Sequence, residues 1–192
     1  RCADAGAVLV KVLPNAQQFN PAEAKYKPFY RALAERRLPL LSHVGYEFSL
    51  MGTDQSAGDP ERLRVALDEG ATIIAAHACS YGLMLYERFL PVLLDFSKRY
   101  SNFYADISAL TLPNRFRMLL HLRRYPEVYD RLLFGTDYPL SVTHVATWGR
   151  LSFHALGQII RTKNRFDRQY LVCSRLGVGF KSFAKLLPNA GR

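Results

Sequence analysis

LLFGTDYPL, residues 132–140, is the stretch on which the fold turns. Leu132, Leu133 and Phe134 read as a short buried strand that stops at Gly135. A carboxylate, Asp137, follows at once, ahead of Tyr138 and Pro139. An acid that tops a buried strand belongs to a rim, not to a core. The same grammar recurs upstream. AVLVKVLP (7–14), LPLLSHVG (38–45), ATIIAAHA (71–78) and NFYADIS (102–108) are short apolar runs, and RLLFGTD (131–137) is the fifth. Each carries a polar residue at or near its C-terminal end: Lys11, His43, His77, Asp106 and Asp137. The intervals between these residues are 32, 34, 29 and 31.

Helical patterns fill the intervals. Residues 22–37 place Phe29, Leu33 and Ala34 at helical spacing, with Pro28 expected to kink or delay the helix. Residues 59–70 have Asp59 as cap, Pro60 at the first position and Gly70 as stop. Residues 83–100 read as a helix interrupted at Pro91, and 113–124 as one opened by Pro113. The loop SVTHVATWGRL (141–151) follows the fifth strand, and helical material continues to the C-terminus. Strands apolar on both faces, alternating with helices, specify a parallel sheet with helical crossovers. A (β/α)8 barrel of about 250 residues has about 31 residues per unit and gathers its active site at the C-terminal strand ends. A doubly wound sheet alternates too, but no Gly-rich phosphate turn follows a strand here. The expected class is α/β, a partial (β/α)8 TIM barrel of about five βα units.

Composition bounds the alternatives. The chain has 192 residues, 49% hydrophobic and 22% charged, which suits one domain or part of a larger one. No apolar run approaches the length of a membrane span, so no membrane partner is expected. RCADAGAVLV is neither a signal peptide nor a basic presequence. It lacks an initial Met and reads like the end of a helix, so residues 1–192 are expected to form a single, N-terminally incomplete domain. Cys2, Cys79 and Cys173 are scattered, with no CxxC pair, which fits a reducing cytoplasm. The net charge of +10 is spread over helices and is densest at 115–131 and 161–168. We read these patches as solvated helix faces. No nucleic-acid motif accompanies them, and no nucleic-acid partner is expected.

Asp137, His43 and His77 on one rim make a metal-ligand set, because an ionised carboxylate and neutral imidazoles each offer a lone pair. Read alone, Asp137 also suits a turn cap and each histidine a hydrogen-bonded rim residue. LPLLSHVG, TIIAAHA, NFYADISAL and RLLFGTDYP resemble the fifth to eighth strand motifs of the amidohydrolase superfamily. More narrowly they resemble its amidohydrolase-related branch of metal-dependent hydrolases, and AVLVKVLPNAQQFNP is similar to that branch's fourth strand and following loop.

The resemblance implies that His43 is the fifth-strand metal ligand and that His77 binds a second metal or hydrogen-bonds substrate. It implies that Asp137 is a ligand that also takes a proton from an activated water. Asp137 and His77 are then the catalytic pair. Lys11 stands where some members carry a carboxylated lysine. The family's first-strand HxH pair is absent from this sequence, and at about 31 residues per unit three strands would precede Arg1.

Five strands alone would leave two open sheet edges, which makes a homo-oligomer plausible. The cofactor implied is a divalent metal. Zinc is favoured by His and Asp ligands, and manganese and iron fit as well. The chemistry implied is hydrolysis of an amide, ester or lactone of a small-molecule substrate. Non-oxidative decarboxylation of an aromatic acid, or a non-catalytic shortened relative, are the alternatives. Asp106 and Lys11 on the rim, and His144 and Trp148 in the loop after the last strand, are expected to contact substrate. Tyr46 and Glu47, after His43, could do the same.

Overall fold

A computed structural model describes residues 3–48, 54–83 and 86–186. Cys2 and the expected helical residues 84 and 85 lie outside them. The five apolar runs form five strands: β1 (Val10–Val12), β2 (Leu40–Ser42), β3 (Ile73–Ala75), β4 (Phe103–Asp106) and β5 (Leu132–Leu133). They lie in one sheet in chain order, and every pairing is parallel. Val10, Leu40, Ile73 and Phe103 share one row of the register, and Val12, Ser42, Ala75, Ala105 and Leu132 share another. This is the unmixed, chain-order sheet of consecutive βα units, and the fold is a partial (β/α)8 barrel.

The crossovers are α1 (Pro14–Gln17) and α2 (Lys27–Glu35) between β1 and β2, and α3 (Arg64–Asp68) between β2 and β3. α4 (Leu90–Arg99) precedes β4, α5 (Phe116–Leu122) precedes β5, and α6 (Phe153–Arg161) and α7 (Arg165–Arg175) follow it. Each helix turns one apolar stripe to the sheet: Tyr30 and Leu33 from α2, Leu93 and Phe96 from α4, Met118, Leu119 and Leu122 from α5, Val172 and Cys173 from α7. With Ile73, Phe103 and Leu132 they build one core. Each such side chain contributes about 1.5–3 kcal/mol by leaving water.

The prolines act as openers. Pro91 lies in the first turn of α4, and Pro28 in that of α2, so neither breaks its helix. Pro14, expected to close a strand, opens α1. A first-turn proline loses no helical hydrogen bond, because that N–H has no partner within the helix. Asp59 caps as expected, its Oδ1 accepting from the Glu61 N–H at 3.0 Å.

One expected open edge is partly covered. Beyond α7 the chain turns back, and Lys181 pairs in parallel with Leu133. The Lys181 N–H donates to the Leu132 carbonyl at 2.8 Å, and the Phe134 N–H donates to the Lys181 carbonyl at 2.9 Å. Phe180 packs against Phe134 and Tyr170, which anchors this segment.

Candidate metal and substrate site

The site lies where the strands end. His43 follows β2 directly, and its N–H donates to the Val12 carbonyl at 2.9 Å. That bond continues the β1–β2 ladder by one step and fixes the imidazole at the rim. His77 follows β3 in a strained stretch: His77, Ala78 and Cys79 have φ of 59°, 47° and 57°. Left-handed backbone costs a residue with a Cβ roughly 1–2 kcal/mol. Asp106, the last residue of β4, holds this turn. Its Oδ1 accepts from the His77 N–H at 3.0 Å, from the Ser108 N–H at 2.9 Å and from the Ser108 hydroxyl.

Ser108 also sets the His77 tautomer. His77 Nδ1 lies 3.1 Å from the Ser108 carbonyl and 2.8 Å from its Oγ. A carbonyl only accepts, so Nδ1 carries the proton and Nε2 offers a lone pair. That Nε2 lies 3.3 Å from His43 Nδ1 and 4.0 Å from Asp137 Oδ2. Among the described residues His43 Nε2 has no hydrogen-bond partner, and it lies 3.7 Å from a Glu47 carboxylate oxygen. Burial holds His43 down to about 4, with Arg115 adding to the effect. Burial also holds His77 well below its usual range. Both imidazoles are therefore neutral near pH 7, the form that binds metals. Asp137 sits at φ 60°, two residues past Gly135, and burial raises its carboxyl against the pull of Lys11 and Arg115.

Two ligands of a tetrahedral metal with bonds of about 2.0–2.1 Å lie about 3.3 Å apart. The His43–His77 pair has that spacing, and His77–Asp137 is wider. Among the described residues no three of His, Cys, Asp and Glu converge tightly enough to enclose a cation. The donor types and the neutral imidazoles, with His43 Nδ1 facing His77 Nε2, fit a divalent cation. The closure of the three does not.

A pocket of about 380 Å³ opens over the pair, lined by Lys11, His43, Glu47, His77, Arg115 and Asp137 among others. Lys11 reaches it from β1, as expected. Asp106 sits beneath it, positioning His77. His144 and Trp148 do not line it. Their rings lie 6.1 Å apart at the two ends of the turn Val145–Thr147, which packs against α5.

Arg115, expected to be solvated with its patch, is 4% exposed. It donates to the Ser80 carbonyl at 2.9 Å and to the Tyr46 carbonyl at 3.0 Å. It thereby joins the loops after β2 and β3 over the pocket. These loops touch at Gly45, where an added Cβ would lie 2.2 Å from the Ser80 carbonyl oxygen. Sequence reasoning also missed Glu87 and Gln169. The Glu87 carboxylate accepts from Ser80 Oγ, the Tyr81 N–H and the Met118 N–H. Gln169 of α7 donates to the carbonyls of Ile107 and Gly135 and so ties the ends of β4 and β5 together.

Comparison with known proteins agrees with this architecture. The sequence model of the family described as "Amidohydrolase" matches residues 1–157. The chain belongs to the amidohydrolase family. An uncharacterized TIM-barrel protein from Bordetella bronchiseptica superposes with a TM-score of 0.61 at 19% identity, over 100% of this chain and 60% of its own. A protein from Pseudomonas putida, provisionally named a 2-pyrone-4,6-dicarboxylic acid hydrolase, superposes with a TM-score of 0.54 at 14% identity. That match covers 91% of this chain and 60% of the other. The chain thus spans about 60% of the length of these structures. No curated protein matches it.

Proposed function

We propose that the chain carries the metal and substrate rim of a metal-dependent hydrolase that acts on a small amide, ester or lactone. The observation that carries this reading is the facing pair His43 Nδ1 and His77 Nε2, 3.3 Å apart, beside Asp137. In this reading His43, His77 and Asp137 would hold a divalent cation, zinc by ligand chemistry, with manganese and iron fitting the same donors. Such a cation would supply Lewis acidity, lowering the pKa of a nucleophilic water towards about 7 and offsetting charge on the scissile carbonyl oxygen.

The chain's own residues do the rest. Asp137 accepts the water's proton and returns it to the leaving group. The Ser108 contacts hold the His77 ring so that Nε2, not an N–H, faces the site. Lys11 and Arg115 stand among the lining carboxylates Glu47 and Asp137, and a cation at the rim suits a substrate bearing a carboxylate. The same two cations support a second reading, non-oxidative decarboxylation of an aromatic acid at this rim. The buried, unpaired thiols of Cys79 and Cys173 support a reducing, cytoplasmic setting. Phe153 and Ile160, exposed on α6, support a homo-oligomer.

The test is turnover of a panel of carboxylate-bearing lactones and esters beside aromatic acids. Turnover should stop on chelation, return with added cation, and fall at least about a hundredfold in Asp137→Asn. Activity that survives chelation, or that Asp137→Asn retains, would contradict the reading.

A further inference from the structure

A second concavity lies away from the strand-end pocket, on the outer side of α5. It has a volume of about 790 Å³. Its floor includes Phe116, Leu120 and Leu176, and four guanidiniums line it: Arg117, Arg123, Arg124 and Arg150. His121 completes the wall, and among the described residues no carboxylate lines it. Leu120 and His121 follow Arg117 at the i+3 and i+4 positions on one face of α5, and Arg123 and Arg124 come from the turn that ends the helix. Arg150 comes from a separate segment, before α6.

Arginine side chains on a helix surface usually find a carboxylate at i±3 or i±4, as Arg64 finds Glu61 and Arg99 finds Asp95 in this chain. Among the described residues, Arg117, Arg123 and Arg124 make no ion pair and no side-chain hydrogen bond. Burial lowers the His121 imidazole, and the charges of Arg117 and Arg124 lower it further. The ring is therefore neutral near pH 7 and leaves the guanidiniums as the charge of the groove. The four guanidiniums are exposed, so water screens most of their mutual repulsion, and Arg150 also donates to the Trp148 carbonyl at 3.0 Å; a bound anion would gain from several of them at once. Guanidinium forks match tetrahedral oxyanions in a bidentate manner. The apolar floor gives a carbon skeleton somewhere to rest.

We propose that this groove binds a small phosphate-bearing molecule, the phosphate held by Arg117, Arg124 and Arg150 and its organic part laid on Phe116, Leu120 and Leu176. The concavity favours a compact ligand over a polyanion, which would call for an extended basic stripe. The ligand class does not depend on the reading of the strand-end pocket.

Isothermal titration of the purified protein with phenyl phosphate and with inorganic phosphate tests the proposal, beside Arg117→Gln/Arg124→Gln. The wild type should bind phenyl phosphate saturably at one site, and more tightly than inorganic phosphate. The double variant should bind phenyl phosphate roughly tenfold or more weakly, with an unchanged thermal midpoint. No saturable binding in the wild type, or equal binding by the variant, would overturn it. So would a single-stranded oligonucleotide whose affinity grows with length and falls steeply with salt, since that marks a polyanion surface.

Discussion

Asp106 shows how a residue can serve a site without lining it. Its Oδ1 gathers three donors from the turns after β3 and β4, and one of them is the backbone N–H of His77 itself. Those bonds hold three successive left-handed residues in place. Asp106→Ala should therefore destabilise the protein by about 3 kcal/mol in urea denaturation. Asp106→Asn keeps an oxygen acceptor and should cost less than half of that; equal losses would contradict the assignment. At this scale the sequence was legible where a side chain acts from a strand end. Lys11, His43, His77 and Asp137 all line the pocket because parallel strands in one sheet bring their C-terminal ends, and the residues in or just past them, to one rim. Arg115, Glu87 and Gln169 were not legible. Arg115 reaches Tyr46 across 69 positions, and Gln169 reaches Ile107 across 62. No local pattern encodes such contacts. His144 and Trp148 sit in the loop that barrels use for substrate, but the turn that holds them packs on α5 instead.

Strands were legible in number and order, because short apolar runs about 30 residues apart leave few topologies. Their ends were less so. Strands expected at seven or eight residues keep ladder pairing over two to four, as the chain leaves the sheet to form the rim. The helices also carry pH dependence. Arg31 Nε of α2 lies 2.5 Å from Glu69 Oε2, just past α3, and Lys27 Nζ lies 3.1 Å from Oε1. Arg31 first, then Lys27, holds the Glu69 carboxyl below its ordinary 4.5. A depressed folded-state value means that this tie stabilises above about pH 4.5 and is lost as pH falls below it. Glu69→Gln should flatten the fall in stability between pH 6 and pH 3, and 1 M NaCl should shrink the difference because the pair is screened. An unchanged slope in the variant would show that the tie contributes nothing.

Across the whole molecule, the partial barrel covers one of its two edges with its own C-terminal segment. Lys181 fills the place beside β5 where, in a closed barrel, a first strand would pair. Gly179 permits this approach, since an added Cβ would meet the Tyr129 ring at 2.6 Å. Gly179→Ala should displace the segment, so that the amides of Lys181 and Phe134 exchange faster with deuterium while those of β2 and β3 do not. Unaltered protection at Lys181 would show that the edge is held by other means.

His43, His77 and Asp137 sit at the ends of three strands of one sheet, so the cation they are proposed to share would tie β2, β3 and β5 together. Elemental mass spectrometry of the purified protein, wild type beside Asp137→Asn and His43→Ala, tests that most directly. The account predicts about one equivalent of a divalent metal in the wild type and a clear loss in both variants. A metal-free wild type after exposure to zinc, manganese and iron, or variants that hold as much as the wild type, would contradict it.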